Sequence, residues 1–152
     1  MLKANKTRYQ KSKEAATTYK DEVNAKPEPD YKSIKEEFNT KFTDITTTAE
    51  AQTETSAKYK AGYKALDSLV ATTKEKVAKR EKELNYINSL QEFIRAQENY
   101  LNQIKSPSNN EEEQNAKLQE LLATAREKYD KYVDAAKAYG QKPVEWTIEN
   151  TN

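Results

Sequence analysis

The side chains able to do chemistry in this chain are carboxylates, lysines, four arginines and ten tyrosines. Neither histidine nor cysteine occurs. Their absence removes the imidazole base, the thiolate nucleophile and the commonest zinc ligands. Two glycines, Gly62 and Gly140, cannot build a phosphate-cradling loop. Clustered carboxylates remain at Glu36/Glu37 and Glu111/Glu112/Glu113, whose oxygens suit weak capture of a hard cation. On helices this polar, such clusters read as solvated faces. Arg8, Arg80, Arg95 and Arg126 lie in four separate stretches without the convergence a pocket requires. The sequence therefore assigns no catalytic residue, no cofactor site and no metal ligand. The expected protein is non-enzymatic, with no small-molecule substrate.

Charge narrows the partners. The net charge is +1, and basic residues are everywhere diluted by acidic ones. No stretch is basic enough to neutralise a run of phosphates, which argues against nucleic acid. An anionic membrane surface fails on the same ground. No apolar run approaches the ~20 residues that span a bilayer, so no membrane insertion is expected. Residues 1–20 lack the apolar stretch of a signal peptide. A soluble protein is expected, in a virion, in the cytoplasm, or surface-exposed after removal of a leader.

What remains is contact with other proteins, and the elements that would make it are helices. Hydrophobic residues are 35% of the chain and charged residues 34%, at a mean hydropathy of −1.14. Few turn-formers and abundant Ala, Lys, Glu, Gln and Leu describe long helices rather than a large core. Leu2, Tyr9, Ala16 and Val23 form a seven-residue repeat, predicting a helix over 2–25. KPEPD (26–30) then forces an extended turn, with Asp30 placed to cap the next helix.

Residues 31–105 contain no proline and only Gly62. Apolar residues fall at 31, 34, 38, 42 and 45, at 59, 63, 66 and 70, and at 77, 84, 87, 90, 94, 101 and 104. Steps of three and four make these the seam of a packed helix. Within 46–57, only Ala49, Thr53 and Ser56 keep the phase, so the helix either continues on small residues or breaks there. The continuous helix is the reading adopted. SPSNN (106–110) turns the chain, Asn110 caps a last helix over 111–139, and Gly140 ends it. In the tail, 141–152, the alternation of Val144, Trp146 and Ile148 predicts a strand at 144–149.

The expected fold is all-α. An elongated antiparallel bundle or coiled coil over 1–140 has a long central helix, two shorter helices folded back on it, and an extended C-terminal segment. A central helix over 31–105 would be ~112 Å long, and its two neighbours ~36 and ~45 Å. About twenty central residues would then lack cover, among them Tyr59, Tyr63, Leu66, Leu69 and Val70. These five are the expected protein interface, with Val144, Trp146 and Ile148 of the tail as a second one. Tyr9, Tyr129, Tyr132 and Tyr139, on good repeats, are expected in the core. The function expected is that of a structural or assembly protein that self-associates or docks into a larger particle, such as a virion. The alternative is a helical binding module, in a bacterial adhesin or a secretion-type chaperone.

Overall fold

A computed structural model describes residues 1–146. Four helices follow one another: α1 (Leu2–Asn24), α2 (Lys32–Ala49), α3 (Ser56–Lys105) and α4 (Glu111–Tyr139). No strand occurs among the described residues. The chain divides into two compact units, Met1–Arg80 and Glu81–Asn152.

In the first unit, α1, α2 and the beginning of α3 pack around Tyr9, Ala16, Val23, Phe38 and Leu66. Tyr19 meets Phe38 edge-on, and Tyr9 tilts against Tyr59 at 5.4 Å. The α1 repeat is thus buried at Tyr9, Ala16 and Val23, while Leu2, its first member, stays exposed. Asp30 does not cap α2, however. Tyr31 takes that position without a side-chain hydrogen bond, and the Asp30 carbonyl instead accepts from Arg80 Nε at 2.9 Å.

The continuous helix expected over 31–105 is interrupted. α2 stops at Ala49 and α3 starts at Ser56. Three consecutive threonines, 46 to 48, weaken the end of α2, and Thr46 Oγ1 bonds back to the Phe42 and Thr43 carbonyls. Thr55 then caps α3, its hydroxyl accepting from the Lys58 amide at 3.1 Å. Between them, α1 grips the turn. Lys13 and Tyr9 reach Glu50, Lys6 reaches Glu54, and Asn5 Nδ2 donates to Ser56 Oγ at 2.6 Å. Such contacts are long-range, and periodicity carries no trace of them.

In the second unit, the end of α3 and all of α4 enclose Phe93, Ala96, Ala125, Tyr132, Ala136 and Trp146. The boundaries of α4 fall where the sequence places them. Asn110 Oδ1 accepts from the Glu112 and Glu113 amides. Gly140, at φ 85°, closes the helix with hydrogen bonds from its own amide to Lys137 O and from the Gln141 amide to Ala136 O. The turn at 106–110 is tied by Gln114, which accepts from the Ser108 amide and from Gln103 Nε2.

Two expectations fail in this unit. The seam through 84, 87, 90, 94, 101 and 104 holds only in part: Leu84 is half-buried and Leu90 packs against the core, but the other four positions are out of phase with the buried side of α3. Ser89, Phe93, Ala96 and Tyr100 face inward, while Ile87, Ile94, Leu101 and Ile104 keep 37%, 45%, 44% and 49% of their surface exposed. The expected strand is also absent from 144 to 146, where the chain lies along the helices without a sheet partner. The Val144 amide donates to Tyr132 Oη and the Val144 carbonyl accepts from Tyr129 Oη, both at 2.9 Å. Tyrosine hydroxyls do here what a neighbouring strand would have done. Residues 147–149 of that expectation lie outside the described residues.

Candidate interaction surfaces

The eight residues expected at interfaces separate into distinct environments. Tyr59, Leu66 and Leu69 are buried inside the first unit, and Tyr63 and Val70 are half-buried. Their expected exposure depended on a helix running unbroken from Tyr31. With the break at 50–55, α1 and α2 cover the beginning of α3, so these side chains need no second chain to leave water. Arg8 lies over the Tyr63 ring at 5.2 Å and reaches Asp67 at 2.8 Å. Trp146 is buried against Phe93 and Tyr129, with the Arg126 guanidinium over its ring. Val144 remains 59% exposed. Ile148 lies outside the described residues.

The carboxylates whose pKa is shifted are engaged by cations rather than gathered. Hydrogen bonds from Lys41 and then Lys76, both at 2.8 Å, hold the Glu37 carboxyl down at about 2. Lys13 lowers Glu50, and Lys6 with Tyr59 lowers Glu54. Burial, followed by the hydrogen bond to Glu50, pushes the Tyr9 phenol up. Glu50, Glu54, Lys6, Lys13, Tyr9 and Tyr59 line a polar recess of about 380 Å³ at the 50–55 turn, whereas Glu37 lies apart on α2. Each has its partner within the chain, so the recess reads as a clasp holding the turn to α1. Among the described residues, no group of three or more acidic side chains is placed to hold a metal ion. Glu111, Glu112 and Glu113 fan out in the first turn of α4, where they favour the positive end of its dipole.

The lowered carboxyls of Glu37 and of the clasp fix a pH dependence. A carboxyl whose folded pKa lies below its ordinary 4.5 contributes stability that is complete above 4.5 and lost as pH falls through the folded value. Stability should therefore be level near neutrality and decline from about pH 4.5 toward 2. Because the pairs are solvent-exposed, the combined loss from Glu37 and Glu50 is about 1 kcal/mol. Urea denaturation at pH 7 and pH 3 measures it. The difference between the two pH values should shrink in Glu37→Gln, and an unchanged difference would refute the assignment.

Two apolar surfaces lie open. One is the stripe of Ile87, Ile94 and Leu101 at steps of seven on α3, continued by Ile104. The seven-residue repeat of Tyr86, Phe93 and Tyr100 runs beside it, one residue out of step, and turns toward the core. The second surface is a groove between the antiparallel α2 and α3 of the first unit. Near the 50–55 turn it holds about 490 Å³ over Ile45, Ala57, Ala61 and Ala65. It continues for about 370 Å³ past Ile34, Phe38 and Leu69. Sequence reasoning missed the groove, since Ala57, Ala61 and Ala65 carry almost no hydrophobic weight. Their spacing of four was the available signal.

No family model, curated protein or solved structure matches this chain. No helix among the described residues is long and apolar enough to cross a membrane.

Proposed function

We propose that this protein is a non-enzymatic assembly component that works by helix–helix contact with other proteins, its own copies included. The observation that carries this reading is the exposed aliphatic stripe Ile87, Ile94, Leu101 and Ile104. Repeats of seven closed by a step of three are the spacing by which one helix packs along another. Covering these half-exposed side chains gains about 0.5–1.5 kcal/mol apiece, several in all before the cost of association. The lack of histidine and cysteine supports a role without catalysis, as does the pairing of every pKa-shifted group within the clasp or with lysine.

Light scattering across a concentration series tests the proposal. The expected result is a mass that rises above the 17.5 kDa of one chain. Replacing Ile94 and Leu101 together with lysine should weaken association at least tenfold while far-UV circular dichroism stays helical. A monomeric binding module predicts a single 17.5 kDa species throughout, and that outcome would refute self-association.

A further inference from the structure

We infer that the partner of the aliphatic stripe is the α2–α3 groove of a second copy of this chain, an inference that rests on the self-association proposed above. The two surfaces match in length. From Ile87 to Ile104 the stripe covers ~26 Å of helix, and from Ala57 to Lys76 the α3 wall of the groove covers ~29 Å. They also match in relief. The stripe is a ridge of three isoleucines and a leucine, whereas the groove, at its end near the 50–55 turn, is floored by Ala57, Ala61 and Ala65. Large side chains set against small ones let two helix surfaces interdigitate without voids. A groove facing a groove would leave space unfilled.

Charge points the same way. Asp44 and Lys58 rim the groove on opposite walls, and neither has an ion pair among the described residues. Arg95 and Glu98 flank the ridge, and they too are without one. Each surface thus presents an acid and a base that the other can neutralise, fixing register more than strength. Ridge and groove are different patches of one chain, so the contact is heterologous. Its repetition closes a ring, a reciprocal dimer being the smallest, or extends as a filament.

The absence of cysteine provides a direct test. Two variants, Ile94→Cys on the ridge and Ala61→Cys in the groove, are mixed in equal amounts and treated with a short bis-maleimide. The expected product is a cross-linked pair of one variant with the other, formed at least tenfold faster than either links to itself. A link between two Ile94→Cys chains at an equal or greater rate would place ridge against ridge. That result overturns the groove as partner while leaving self-association intact. Association without the mixed link overturns the groove as well. A 17.5 kDa mass at every concentration, with no link in any mixture, defeats both proposals. Ala61→Trp supplies a second arm. Residue 61 is exposed, so the fold accommodates the ring, and the filled groove should weaken association about a hundredfold with helical dichroism unchanged. Undiminished association of Ala61→Trp would count against the inference.

Discussion

Phe93→Ala should cost the second unit about 3–5 kcal/mol, a large share of the roughly 5–15 kcal/mol that holds a domain folded. Phe93 is 1% exposed and has an aromatic ring on three sides. It stacks on Tyr132 at 5.8 Å, tilts against Tyr129 at 5.0 Å and meets Trp146 edge-on at 6.0 Å. Alanine would forfeit those contacts and leave a void that the surrounding rings, tied to Val144 through two hydroxyls, cannot collapse to fill. Trp146 is the only tryptophan, so its fluorescence reports this cluster alone. In Phe93→Ala, the fluorescence midpoint in urea should fall well below that of the parent chain. A loss under 1 kcal/mol would mean that the cluster contributes little to the unit.

Gly62→Ala is expected to destabilise the first unit, against the ordinary trend. In an exposed helix interior, alanine in place of glycine gains about 1 kcal/mol. Here a Cβ on residue 62 would stand 2.9 Å from Ala49 Cβ and from two carbons of the Tyr9 ring. Something must shift, and neither neighbour is the loose end of a flexible chain. Tyr9 is 2% exposed, tilted against Tyr59, and bonded through its hydroxyl to Glu50. Overpacking of this kind costs typically 1–3 kcal/mol, which outweighs the helical gain. Thermal melting followed by circular dichroism should show a lower midpoint for Gly62→Ala and a lower one still for Gly62→Val. A higher midpoint for the alanine variant would show that the helices can separate at little cost.

The punctuation of α4 was legible in the sequence, unlike the cap expected from Asp30 at α2. Asn110 and Gly140 act through hydrogen bonds to residues within five positions of themselves, so their types suffice to place both ends of the helix. The break at 50–55 was not legible in that way. No proline or glycine marks it, and the grip of Lys6, Tyr9 and Lys13 comes from about forty residues away in sequence. The phase of α3 misled for another reason. Tyr86/Phe93/Tyr100 and Ile87/Ile94/Leu101 are two seven-residue repeats one position apart, and periodicity cannot rank them. Packing against α4 favoured the aromatic one, which left the aliphatic repeat outside. The most informative surface on the second unit therefore consists of residues that the sequence assigns to a core.

Helix α3 passes through Arg80 and Glu81, where one compact unit gives way to the next, without a glycine or proline to stop it. Starting a helix is far costlier than lengthening one, because several residues must be fixed before the first hydrogen bond forms. Whichever unit folds first therefore presents the other with a helical end already wound. The later unit extends that end, residue by residue, with no initiation step of its own in α3. Folding of the second unit should accordingly be faster in the whole chain than in a fragment cut at the boundary.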